Sequence, residues 1–309
     1  MQTWELTKIP TPPEDDVIDV LMIGSSFCYY YVEELYGLAE AAGVKMRVCN
    51  LYYSGCKFTW HYNWWKEGNG PYEFYQVTDN TGRKKISGVS LEYALAQGQW
   101  DVISIQESTS TITSAGAQAH LDATRDMRAE LIGYLKEQFP DAKHYWQSPW
   151  THQTGYISGG NPVDFAWQQR RMMIIRDFAL GVCEENEVSR VNTGEAWQIF
   201  RQKYVLNGDF EDTLCARLGV STFDGTANSG DGYHDGDIGG GQYLNACVWF
   251  EILMNDLDPD GNYTCVGNTY NPSYGGGRFS LSQELRTALQ ESAHQAVLER
   301  DWETPSTQG

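Results

Sequence analysis

Two hydrophobic patterns alternate along the chain. Short, nearly continuous apolar runs occur at "VIDVLMIG" (17–24), "VKMRVCNLYY" (44–53), "WDVISIQE" (100–107), "AKHYWQSP" (142–149) and "VSRVN" (188–192). A strand that is apolar on both faces suits the inside of a parallel sheet, where helices cover it from above and below. Between the runs, apolar positions return at helical spacing over 29–42 (stopping at Gly43), 90–97, a long stretch 116–139, 163–186, and "GEAWQIFRQKY" after the fifth run. Five strands alternating with helices predict an α/β fold, a three-layer α/β/α sandwich with a mostly parallel five-stranded sheet. "YEFYQVTDNTGRKKI" (72–86) breaks the rhythm and reads as a β-hairpin insertion turning at Asn80–Gly82. Residues 1–16, with three prolines and an acidic run, read as an extended lead-in, and 256–309 as a C-terminal extension. No repeat and no long linker divides the chain, so a single domain over 1–309 is expected.

Right-handed crossovers place the C-terminal ends of parallel strands on one sheet edge, where open α/β sheets bind ligands. The stretches leaving these strands are "GSSF", "YYSGCKF", "QESTS" and "SPWTH", rich in hydroxyls, amides and aromatic rings. The first sets Ser25 and Ser26 in a tight turn. A helix cap and a nucleophile would both use a serine there. Far along the chain, "NSGDGYHDGDIGGGQYLNACVWFEIL" (228–253) is a glycine-rich loop running into what reads as an amphipathic helix. Asp231 and His234 lie three residues apart in it. At that spacing the carboxylate can accept a hydrogen bond from His Nδ1–H and leave Nε2 free as a base. A helix-capping aspartate beside a surface histidine has the same spacing. The Gly-x-Ser-x-Gly elbow, phosphate loops, dinucleotide fingerprints and His-Glu-x-x-His are absent. "DLDPDG" (256–261) imitates half of a calcium loop. Gly267 stands where the bidentate glutamate belongs, so a tight turn is expected instead.

Composition narrows the partners. The 309 residues carry a formal net charge of −19, which disfavours nucleic acid and anionic membrane surfaces. No apolar run is long enough to span a bilayer, and no basic-then-apolar leader opens the chain. The expectation is a cytoplasmic protein, although a secreted chain stripped of its leader would read alike. The seven cysteines form no Cys-x-x-Cys pair, which fits scattered reduced thiols and implies no structural zinc.

A serine on the first strand turn followed distantly by Asp-x-x-His, on an α/β sandwich without the usual elbow, resembles the SGNH/GDSL hydrolase superfamily. More closely it resembles a bacterial branch with Gly-Asn-Ser-Phe in the first block. Four blocks stand in order over roughly 17–255: "IGSSF", "NLYYSGCKFTWH", "WDVISIQES" and "DGYH". The resemblance implies Ser26 as nucleophile, His234 as base, Asp231 as its partner and Gly55 as an oxyanion N–H donor, with no metal or organic cofactor. Two positions depart from the family pattern. Ser25 replaces an Asp or Asn, and Gln106–Glu107 stand where an asparagine donor is usual, so the oxyanion role passes to the Gln106 amide.

The implied chemistry is ester hydrolysis through an acyl-enzyme. Trp60, His61, Trp64 and Trp65 follow the second block, and Trp146 and Trp150 the fourth run, in a chain with 11 tryptophans and 19 tyrosines. Aromatic planes beside a polar site suit sugar rings. The expected substrate is therefore an O-acyl ester, acetyl first, on a carbohydrate, with Trp60, His61, Trp146 and Trp150 as binding residues. The same rings could equally be core packing. Two other readings stay open: a lipid-ester or thioester hydrolase, which would want a longer apolar loop near the site, and an inactive carbohydrate-binding module.

Overall fold

The computed structural model describes residues 16–79, 82–112, 116–218, 231–274 and 277–300. The lead-in up to residue 15 and positions 80 and 81 of the hairpin turn lie outside them. All five apolar runs form strands: β1 (Ile18–Gly24), β2 (Met46–Tyr52), β5 (Val102–Gln106), β6 (Lys143–Gln147) and β9 (Ser189–Val191). They pair in parallel in the order β2-β1-β5-β6-β9. The hairpin strands β3 (Tyr72–Val77) and β4 (Lys84–Val89) are not a separate insertion. They add antiparallel to the outer edge of β2 and make the sheet seven-stranded. That addition gives β2 a hydrogen-bonding partner on a side that would otherwise be an open edge.

The double-sided apolarity of β1 is used as its pattern requires. Val20 and Met22 enter one core with helices α1 (Val32–Ala41), α7 (Thr193–Phe200), α8 (Gly241–Leu257) and α9 (Gln283–Leu298). Leu21 and Ile23 enter the other, with α2 (Phe58–Glu67), α3 (Leu91–Leu95), α4 (Ala117–Ala123), α5 (Arg125–Gln138) and α6 (Phe165–Asn186). At the strand's start the buried Asp19 takes a two-pronged ion pair from Arg47 on β2, at 2.7 and 2.5 Å. Its N–H donates to Asp101 at 2.7 Å. Breaking either partner would strand a buried charge.

Two expectations change, and one helix is added. The 116–139 stretch is two helices meeting at Thr124, whose hydroxyl donates to the His120 carbonyl at 2.7 Å and competes with the backbone ladder. Helix α2 forms where dense aromatics hid any apolar periodicity. Helix α8 is not amphipathic: Gly241 to Met254 are all buried, against α1, α7 and α9. Helix α9, from the C-terminal extension, is thus one wall of the core. Two small ribbons complete the described residues, β7 (Ile157–Ser158) with β8 (Asn161–Pro162) and β10 (Ser273–Tyr274) with β11 (Phe279–Ser280). "DLDPDG" closes as a turn, with Gly261 N–H on the Asp258 carbonyl at 3.1 Å. All seven cysteines are free thiols. Among the described residues no helix is long and apolar enough to cross a membrane.

Candidate active site

The β1 strand ends at Gly24, and Ser25 caps a single 3-10 turn over Ser26–Cys28, its Oγ accepting from Phe27 N–H at 3.4 Å. The two roles that a serine could play here are thus divided, since Ser25 caps and Ser26 is left for the cavity. Buried amides at neighbouring strands hold this turn. Gln106 Nε2, at the end of β5, donates to Ser25 Oγ at 2.9 Å. Gln147 Nε2, at the end of β6, donates to the Phe27 carbonyl at 2.8 Å. Asn50 Nδ2, on β2, donates to the Met22 carbonyl at 2.9 Å and lies 3.1 Å from Cys28 Sγ. Gly24 is required by this packing, because a side-chain carbon there would collide with the Gln106 side chain.

The second half arrives from the loop before α8. His234 Nδ1 lies 2.6 Å from Asp231 Oδ2, while Asp231 Oδ1 accepts the backbone N–H of His234 at 2.9 Å and of Tyr233 at 3.2 Å. Burial pushes the Asp231 carboxyl up, but the His234 contact and the two N–H groups outweigh it and hold it at about 2. Arg217 approaches the same oxygen at 3.6 Å. The glycines after His234 serve close approach. A Cβ at Gly236, Gly239 or Gly241 would strike backbone of Ala216, Thr213 or Leu214. Gly236 N–H donates to the Leu214 carbonyl at 2.8 Å and Gly239 N–H to the Ala216 carbonyl at 3.1 Å, which fastens the loop to the 213–216 segment.

Ser26, Gly55 and His234 line one cavity of about 1000 Å³ at the C-terminal edge of the sheet. Gly55, at φ +63, sits in the β2–α2 loop in a conformation that favours glycine. That loop is tied down by Glu107, whose Oε1 accepts Phe58 N–H at 3.0 Å at the start of α2 and whose Oε2 lies 2.7 Å from His120 Nε2.

Five residues fall elsewhere than expected. Gln106 is buried behind the serine turn, its amide turned to Ser25, and it does not line the cavity. His61 is sealed in the core, 2.7 Å from Tyr72 OH, with burial lowering its pKa to about 3, so it is a neutral packing group. Trp146 and Trp150, each 1% exposed, offer no face to a sugar. Trp146 packs between Phe58 and Phe178. Trp60 is 37% exposed on α2 but does not line the cavity, resting instead by Tyr53, Trp64 and Lys57.

Trp150 has a different use. It stacks on Trp197 at 4.9 Å, touches Phe27 at 4.9 Å, and donates its indole N–H to the Tyr233 carbonyl at 2.9 Å. It therefore joins the serine turn to the histidine loop. Trp150→Phe is expected to leave the Tyr233 carbonyl short of a donor, at about 1–3 kcal/mol. In steady-state kinetics kcat should fall roughly tenfold with KM nearly unchanged, whereas a sugar-stacking tryptophan would raise KM.

The cavity wall is built from residues not singled out in the sequence. His152, Tyr156 and Trp167 form a continuous aromatic face, His152 stacking on Trp167 at 5.6 Å and meeting Tyr156 at 4.6 Å. Tyr233 carries it to His234, 4.2 Å away between ring centres. Burial, with Arg171 and Arg201 nearby, lowers the His152 pKa to about 4. "SPWTH" and "QESTS" contain part of this wall, but tryptophan count drew attention to the wrong rings.

A family model described as "Domain of unknown function (DUF4886)" matches residues 19–161. Among curated proteins none matches the chain. A solved structure of a DUF4886 family protein from Bacteroides uniformis ATCC 8492 is similar over 94% of this chain and 99% of its own, at 24% identity and a TM-score of 0.73. This likeness shows a shared fold over most of the chain. An acetylxylan esterase from Geobacillus stearothermophilus, solved as a catalytic mutant, is similar over 78% of this chain and 94% of its own, at 15% identity and a TM-score of 0.43.

Proposed function

We propose that this protein is a serine esterase of the SGNH type that removes O-acyl groups, acetyl in particular, from a carbohydrate. The observation that carries the reading is the Asp231–His234 contact, 2.6 Å at Nδ1, on a loop that opens onto the same cavity as Ser26. With Nδ1–H held by the carboxylate, the His234 tautomer presents Nε2 as the base. His234 takes the Ser26 Oγ proton as the oxygen attacks the ester carbonyl. The developing oxyanion is received by the backbone N–H groups of Ser26 and Gly55. Collapse of the tetrahedral intermediate expels the alcohol, which leaves with the proton from His234. Water, deprotonated by His234, then attacks the acyl-enzyme and frees the acid and Ser26. Gln106 acts from behind, by fixing Ser25 and so the direction of the turn.

The aromatic face beside His234 supports a sugar as the alcohol, since flat rings can stack on its apolar face. The test is acetate release from a panel of O-acetylated oligosaccharides, beside aryl esters of increasing chain length. Acetate from at least one sugar, and aryl-ester rates that fall beyond short acyl chains, are expected. A long-chain optimum would turn the reading toward a lipid-ester hydrolase.

A further inference from the structure

The chain holds 41 acidic residues, yet among the described residues no Asp or Glu lines the cavity, whereas Arg170 and Arg171 do. The two arginines differ in what they already hold. Arg171 is committed to backbone, donating to the Thr109 carbonyl at 2.5 Å and to the Ile112 carbonyl. Arg170, exposed on α6, has no such partner among the described residues. It shares the cavity wall with Trp167, one helical turn before it. A guanidinium over a cavity with an aromatic flank is a fork suited to a carboxylate carried on a flat ring. The overall charge of −19 does not oppose this, because fields of distant acids are screened within about 8 Å at physiological salt. A cation on the cavity wall is then the charge a bound anion meets.

We propose that Arg170 selects an acidic sugar, so that the preferred substrate is an O-acetylated saccharide carrying a carboxylate. The proposal rests on the esterase reading for its substrate and adds the charge of the alcohol. An ion pair made by an exposed guanidinium is worth up to about fivefold in affinity.

Two substrates test it: an O-acetylated oligogalacturonate, and the same oligomer with its carboxylates converted to primary amides. The acid form is expected to have a kcat/KM for acetate release about threefold to fivefold above the amide form. Arg170→Ala should bring that ratio near one, Arg170→Lys should keep part of it, and added salt should erode it. Calorimetry on Ser26→Ala with the deacetylated acid and amide oligomers reads the same preference without turnover. Equal turnover and equal affinity for the two forms, or a preference that survives Arg170→Ala, overturns the proposal. If no ester is cleaved while Arg170-dependent binding of the acid form persists, the anion site stands and the esterase reading falls.

Discussion

Ser26→Ala is expected to lower kcat on an acetyl ester by about a thousandfold or more, and to abolish labelling by a fluorophosphonate probe. The expectation follows from how the serines are divided. Ser25 is 0% exposed and engaged by Phe27 N–H and the Gln106 amide, while Ser26 lines the cavity with Gly55 and His234. Among the described residues of the first turn, Ser26 is the hydroxyl that lines the cavity. Ser25→Ala removes the acceptor for Gln106 and leaves that amide short of a partner in the core, so a loss of about tenfold in kcat with some loss of stability is expected. Intact-protein mass spectrometry after probe treatment separates the two. If Ser25→Ala were the dead and unlabelled variant, the nucleophile would have been assigned one residue too late.

Asp231→Asn should be nearly as damaging, at about a thousandfold or more in kcat, with little change in KM. The asparagine can still accept the N–H groups of Tyr233 and His234, so the loop keeps its shape. On the proposed mechanism, what it loses is the charge that would select the Nδ1–H tautomer and balance the imidazolium formed in the transition state. Because the Asp231 carboxyl is held at about 2, it stays ionised throughout the range in which esterases are assayed. A change in activity across that range therefore does not come from Asp231. The same depressed value has a stability consequence. Asp231 favours the folded state above its ordinary value of 3.8, and that contribution is lost as pH falls through about 2. Turnover by Asp231→Asn close to that of the wild type would overturn the assignment of the Asp231–His234 pair as the base.

The sheet could be read from sequence because its evidence is local. Val20, Leu21, Met22 and Ile23 fill two cores from one strand, and only a doubly covered strand reads that way. The hairpin's attachment to β2 could not be read, since edge pairing depends on which edge is vacant and not on the residues of the hairpin. The Asp-x-x-His spacing was legible because three residues of one loop determine the contact. Trp150 and His61 were misread for the converse reason. An aromatic side chain looks the same in a core as at a site, and only packing against Trp197 or Tyr72 decides. Gln106 stands at the end of β5 as the strand pattern implies, but only packing decides that its amide turns to Ser25. The wall of His152, Tyr156 and Trp167 lies across a strand-end loop and a helix, and no short motif could join them.

The distance along the chain between Ser26 and His234 has a consequence for biogenesis. A ribosome delivers the serine turn with the first strand and the histidine loop only after all the strands of the central sheet have emerged. The loop is then held in place by the buried α8, which itself needs α9 from the last part of the described chain. Nascent chains and fragments ending after α7 would carry Ser26 without Asp231 and His234. In refolding experiments the return of the proposed turnover should therefore trail the return of β-sheet signal.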